Sequence, residues 1–445
     1  MLKTFRIGGI HPPENKLSAG KKISVLAVPK QVIIPLGQHI GAPAQAVVAK
    51  GDVVKVGTLL AKAGGFVSAN IHSSVSGKVA KIDGAVDASG YKRPAVFIDV
   101  EGDEWEESID RSDTLVKECT LSAKEIIAKI AEAGVVGMGG ATFPTQVKLS
   151  PPPGNKAEVV IINGVECEPY LTADHELMME KGEEILVGVT LLMKAMDTKR
   201  AVIGIENNKR DAIKHLTELA ASFPGIEIMP LKMKYPQGGE KQLIDAVLRR
   251  QVKSGALPIT AGALVQNVGT VFAVYEAVQK NKPLIERVVT VTGKSVANPS
   301  NLLVRIGTPI TQLLEAVGGV PEETGKIIGG GPMMGKALVS TEVPITKGSS
   351  GILLLTKAES VRHEYSDCIR CAKCVDVCPM GLNPSLLMSA TEHSNWDMAE
   401  KNFIFDCIEC GSCTFTCPAY RPLLDYIRLG KGTVMGIIKS RKSTK

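Results

Sequence analysis

One pattern constrains this chain more than any other. "CIRCAKCVDVCP" starts at Cys368 and "CIECGSCTFTCP" at Cys407, so the spacing C-x2-C-x2-C-x3-C-P is written twice, with 28 residues between Cys378 and Cys407. Two-residue gaps let three thiolates converge on one corner of a cubane. The fourth cysteine, redirected by Pro379 or Pro418, points away and ligates the other cluster. The repetition therefore predicts two [4Fe–4S] clusters that exchange ligands. Cys368, Cys371, Cys374 and Cys417 hold one, and Cys407, Cys410, Cys413 and Cys378 hold the other. Zinc also takes C-x2-C pairs, but it rarely uses four cysteines in so tight a run, and here the run occurs twice. Two clusters close together form a one-electron wire, and the rest of the chain should supply one of its ends.

Eight of the ten cysteines follow residue 367, which indicates metal binding in a reducing compartment rather than a disulfide framework. No apolar run approaches the roughly 18 residues needed to span a bilayer. The longest, "ILVGVTLLMKAM", is short and contains Lys194, and "MLKTFRIGGI" lacks a signal-peptide core. The expected location is the cytosol, or a peripheral position on the cytosolic side of a membrane. A net charge of +6 is too mild to suggest nucleic acid, and the basic end "KSRKSTK" reads as a frayed, solvated tail or a weak membrane-surface contact.

At 445 residues the chain exceeds one core, and its segments read as four modules of a multidomain α+β protein. Residues 1–115 alternate short apolar pairs with glycine, as strands do. From 120 to 285 strands alternate with helices, an α/β layer pattern. "LSAKEIIAKIAEAG" opens this unit with Ser122 and Glu125 in capping-box spacing, Ile127, Ile130 and Ala131 on one face, and Gly134 as a stop. Residues 286–355 form a small strand-and-helix unit ending in "GGGPMMG". Residues 356–445 lose the strand pattern, and the spacer between the cysteine motifs, "MGLNPSLLMSATEHSNWDMAEKNFIFD", looks helical.

The 44 glycines invite a search for sites built from backbone. "GVVGMGGATFPTQVK" places Gly137, Gly139 and Gly140 after a helix, where bare backbone can approach a flat ring or a phosphate. A Rossmann fingerprint would need glycine where Thr142 stands, and a strand before it. Alone, the loop is equally an ordinary tight connection. Cys119 and Cys167 have no ligand spacing and read as packed residues, and His363 and His393 as surface residues.

Four segments in order, "GMGGATFPTQVK", "NGVECEP", "YPQGGEKQL" and "QNVGT", resemble the flavin-binding motifs of the 51-kDa, NADH-oxidising subunit of respiratory complex I. "IHSSVSGKVAKI" resembles the biotinyl/lipoyl barrel-sandwich fold, with Ser73 and Ser74 where a modified lysine would sit at a hairpin tip. The third module is similar to the soluble-ligand-binding (SLBB) β-grasp, and the tail to helical two-cluster ferredoxins. Together the modules resemble the RnfC (RsxC) family of Rnf ion-translocating electron transport complexes over essentially the whole chain.

That resemblance implies a peripheral subunit on the cytoplasmic face of the bacterial inner membrane, binding FMN and two [4Fe–4S] clusters and using NADH. It implies integral and iron–sulfur partners of the RnfB, RnfD and RnfG type, with ferredoxin as the remote donor or acceptor. It also implies roles. Gly137, Gly139 and Gly140 cradle the flavin, Phe143 stacks on the nucleotide, and Lys148 reaches a phosphate or ring oxygen. Asn163, Glu166 and Glu168 line the ribityl chain and the nicotinamide side, where Glu166 and Glu168 are the candidate catalytic residues. Tyr235, Gly238 and Glu240 form the next wall, and Asn267 and Thr270 the last. Val165, Gly239 and Gln266 depart from the complex I pattern, as does "SPPPG", which replaces an aromatic of the dinucleotide grip.

Overall fold

The structure, a computed structural model, describes residues 2–443. Alternating residues between 31 and 100 form two small antiparallel sheets. One has the order Gln31–Pro35, Lys92–Val100, Gly77–Val86, Val53–Val54, and the other Gln45–Ala46, Leu59–Lys62, Ile71–His72. Val32, Ile34, Leu60, Ile71, Val79, Val96 and Ile98 point inward and are buried between them, each contributing on the order of 2 kcal/mol. Ser73 and Ser74 are fully buried rather than at an exposed tip, as suits a structural module without a swinging arm. Ser73 donates its hydroxyl to the Val75 carbonyl, and Ser74 to the Ile306 carbonyl. Satisfied hydroxyls can lie inside a fold, so this polar pair sits in a buried connection between Ile71–His72 and Gly77–Val86 rather than at an exposed tip. The tip between Leu59–Lys62 and Ile71–His72 carries Phe66 instead, 76% exposed.

The second unit is a four-stranded parallel sheet in the order Ile226–Leu231, Ala201–Glu206, Val159–Asn163, Ala263–Asn267. Helices cover both faces, which is why "VVII" and "AVIGI" are uninterrupted apolar runs. Ala123–Glu132, Gly182–Ala195 and Val268–Gln279 pack on one side and Glu240–Leu248 on the other. The capping box of Ser122 and Glu125 forms as expected. The inward stripe of that helix is Ile126 and Ile130, one turn apart, while Ile127 is only partly buried against the core. The sheet reverses its winding between Val159–Asn163 and Ala263–Asn267. Doubly wound sheets bind ligands at the carboxyl ends of the strands beside such a reversal.

A six-stranded mixed sheet follows, in the order Ser24–Val25, Ser300–Arg305, Glu286–Thr292, Gly351–Thr356, Thr324–Gly329, Lys336–Ala337, with helix Ile310–Ala316 on its core. Its first strand comes from the start of the chain. The residues before it run along the four-stranded parallel sheet and the segment after it, where Lys3 bridges Leu231 and Ile10 bridges Tyr235. The cysteine-rich tail consists of short helices and the long helix Leu423–Ser443. The basic end is therefore helical rather than frayed as far as Ser443, with Arg441 paired to Asp397 and Glu400 at 3.1 and 3.0 Å. Thr444 and Lys445 lie outside the described residues. Among the described residues no helix is long and apolar enough to cross a membrane.

Candidate redox site

The strand ends at the reversal carry Asn163 and Asn267, which face each other in register. Asn267 caps helix Val268–Gln279, its side-chain oxygen accepting the N–H groups of Gly269 and Thr270. Its amide donates to Asp174 at 2.7 Å. Asn163 donates to the Gly238 carbonyl at 2.8 Å, joining the "NGVECEP" and "YPQGG" segments.

The glycine loop lies against the same helix start. Thr270, fully buried, accepts the Met138 N–H at 2.8 Å, and Gly137 donates to the Phe143 carbonyl at 2.8 Å. A side chain at Gly139 would meet Asn267 at 3.1 Å, whereas Gly140, at φ +137°, faces open space. A side chain at Gly238 would meet the Cys167 sulfur at 3.2 Å. The buried amide nitrogen of Gln266 has no hydrogen-bond partner at this strand end. Open glycine backbone, a capped helix start and a spare donor suit a flavin nucleotide.

Two expected residues pair with each other, Lys148 bonding Glu240 at 2.7 Å and the Val265 carbonyl at 3.2 Å. Glu166 adopts a left-handed φ of +46°, a strained conformation for a side-chain-bearing residue. Its carboxylate accepts the N–H groups of Asp174 and His175 at 2.7 and 3.2 Å. Burial, then the neighbouring Glu166, lift the Asp174 carboxyl to about 7. The expected set omits Asp174, because the sequence offers no sign that this residue folds back onto Asn267.

Glu168 and Tyr235 turn towards other domains. The Glu168 carboxylate accepts the N–H groups of Met333 and Met334 from "GGGPMMG" at 3.1 and 2.8 Å, and burial raises it to about 7. Tyr235 is buried and donates its hydroxyl to the Cys410 carbonyl at 2.8 Å. Cys167 accepts the Gly238 N–H at 3.3 Å, and burial holds its thiol well above the ordinary range.

The cysteines of the tail fall into two groups. Cys368, Cys371, Cys374 and Cys417 line one cavity of about 390 Å³. Cys378 from the first motif lies with Cys407, Cys410 and Cys413 of the second. Burial and then the neighbouring thiols raise Cys407 to about 11 and Cys413 to about 12. A thiol must give up its proton to ligate a metal. His363 and His393 are exposed.

Comparison with known proteins places names on this geometry. The Nuo51 FMN-binding domain family matches residues 130–276, the RnfC barrel sandwich hybrid domain family 3–103, the SLBB domain family 288–337 and the 4Fe-4S dicluster domain family 360–418. The chain is 48% identical to the C subunit of the proton-translocating ferredoxin:NAD(+) oxidoreductase complex of Clostridium ljungdahlii, over 96% of this chain and 93% of that one. It belongs to the RnfC family.

Two further relatives agree. The corresponding subunit of the Na(+)-translocating ferredoxin:NAD(+) oxidoreductase complex of Acetobacterium woodii is 44% identical, over 97% of each chain. That of the ion-translocating oxidoreductase complex of Rhodobacter capsulatus is 41% identical, over 97% of this chain and 83% of that one. A chain of the NAD+-reducing [NiFe]-hydrogenase in the H2-reduced state shares the fold, with a TM-score of 0.50 at 18% identity over 69% of the RnfC chain and 63% of its own length. This RnfC chain thus combines an FMN-binding domain with a dicluster domain, and its cysteines suit two [4Fe–4S] clusters.

Proposed function

We propose that this RnfC chain is the NADH-oxidising, or in reverse NAD+-reducing, entry subunit of a membrane-bound ferredoxin:NAD+ oxidoreductase that moves ions. When bound, FMN exchanges a hydride for single electrons and the clusters carry electrons one at a time. The chain's own residues fix where each group stands. Gly137, Gly139 and Gly140 leave room for the flavin against the helix start capped by Asn267, with Thr270 holding the loop. Phe143 would be the aromatic residue that meets the nucleotide. Lys148, oriented by Glu240, faces the phosphate, and Asn163 with Gly238 borders the ribityl chain. Glu166, its carboxylate holding the Asp174 and His175 N–H groups, would border the nicotinamide side, whereas the Glu168 carboxylate is committed to Met333 and Met334 and would act only through that loop.

The observation that carries this reading is the Tyr235–Cys410 hydrogen bond of 2.8 Å, which ties the flavin domain to a cluster ligand. Cys378, Cys410 and Cys413 are buried, whereas Cys368 and Cys371 are exposed beside Ile369, itself 67% exposed. The inner ligand set thus faces the flavin domain and the outer set a redox partner. Partners of the RnfB, RnfD and RnfG type, on the cytoplasmic face of the membrane, fit a chain whose described residues contain no spanning helix. Ferredoxin is the remote partner.

The test is anaerobic absorbance of the iron-reconstituted, FMN-loaded chain on stoichiometric addition of NADH. Bleaching of the flavin band followed by the iron–sulfur bands is the expected result. Clusters that respond to dithionite but not to NADH would leave only an electron relay.

A further inference from the structure

The arm that precedes the barrel reaches both ends of the redox site. Arg6 pairs with Asp245, Gly9 donates its N–H to the Val377 carbonyl at 2.9 Å, and a side chain at Gly8 would strike the Cys378 carbonyl carbon at 2.5 Å. A few residues further on, Lys16 turns its ammonium under the "NGVECEPYL" loop. Its three N–H groups meet the carbonyls of Glu166, Glu168 and Leu171 at 2.9, 2.9 and 2.6 Å. A lysine ammonium has three donors, so the group is fully committed to backbone.

From the same arm, the Glu14 carbonyl accepts the Tyr170 N–H at 2.8 Å. Lys209 holds the Val165 carbonyl at 2.7 Å. A cavity of about 20 Å³ lined by Lys16, Glu14, Cys167, Glu206, Asn208 and Tyr235 lies beside them, room for about one water molecule. Glu166 meanwhile holds the strained φ already noted, which persists only where surrounding bonds over-determine it. The three bonds from Lys16 start at that residue's own carbonyl and end at Leu171.

We propose that Lys16 is a positioning residue for the flavin-binding loop, holding Glu166–Leu171 in its bound shape from the N-terminal arm. The inference rests on this loop being part of the FMN site. Lys16→Met keeps the length and apolar stem but removes charge and donors, while Lys16→Arg keeps both. The full chain, reconstituted with iron and sulfide, is titrated with FMN by fluorescence quenching, with iron content and the thermal transition followed in parallel. Lys16→Met is expected to bind FMN about ten-fold or more weakly than Lys16→Arg, with cluster content and melting cooperativity retained. Equal FMN affinity in the two variants overturns the proposal. Loss of clusters and of the transition together with the flavin also overturns it, because Lys16 would then hold the whole fold. Failure of the unaltered chain to bind FMN would instead fault the assignment of the site.

Discussion

Tyr235 illustrates how a residue can sit in a recognisable motif and serve a different neighbour. "YPQGG" marks it as a flavin wall, yet its hydroxyl crosses to the Cys410 carbonyl in another domain. Tyr235→Phe keeps the ring and leaves that buried carbonyl unpaired, at a cost of about 1 kcal/mol. Urea denaturation of the cluster-loaded chain should show that loss, and an unchanged midpoint would mean that water takes over the bond. Gly137, Gly139 and Gly140 are legible in sequence because bare backbone leaves a local signature, whereas Asn163 and Asn267 are reached only through the family resemblance. Asp174 and Lys16 leave none. Each reaches its partner across a long sequence separation, and a lysine or aspartate between ordinary neighbours reads as surface.

At the scale of elements, the cysteine repeat is the most legible part of the chain, since short spacings determine which thiols can share a cluster. The two cysteines that cross between motifs give it a sharp test. Cys417→Ser should abolish the cluster whose other ligands are Cys368, Cys371 and Cys374, and Cys378→Ser the one whose other ligands are Cys407, Cys410 and Cys413. Electron paramagnetic resonance of the reduced variants should show a different signal missing in each. The same signal lost from both would overturn the exchange of ligands. The parallel strands are equally readable, because burial on both faces forces unbroken apolar runs such as "VVII". The hairpin tip is not. Ser73 and Ser74 lie in a connection that is buried and bonded, which polar residues do not announce in sequence, and the exposed tip carries the apolar Phe66.

At the scale of the whole molecule, the domains are held together by polar anchors that no motif announces. Lys347, just before the last strand of the β-grasp sheet, is fully buried. Its ammonium donates to the Asn70 carbonyl of the barrel at 2.7 Å and to the Gly134 carbonyl of the flavin domain at 2.6 Å. Its backbone N–H meets Gln38 at 2.9 Å. Burial lowers its pKa from 10.5 to about 7. Between those values the unfolded chain binds more protons than the folded one, so stability rises with pH across that window and is lost again as pH falls back to about 7. Lys347→Met removes this dependence, worth roughly 4 kcal/mol at most between pH 7 and pH 10. It also leaves two buried carbonyls without their donor, at about 1–3 kcal/mol each. The variant should therefore be clearly less stable than the parent at pH 9.5, with the gap narrowing as pH falls to 6. Denaturant midpoints at the two pH values measure it. A constant gap would mean that Lys347 keeps its proton throughout, and that the three domains are joined around a permanent buried cation.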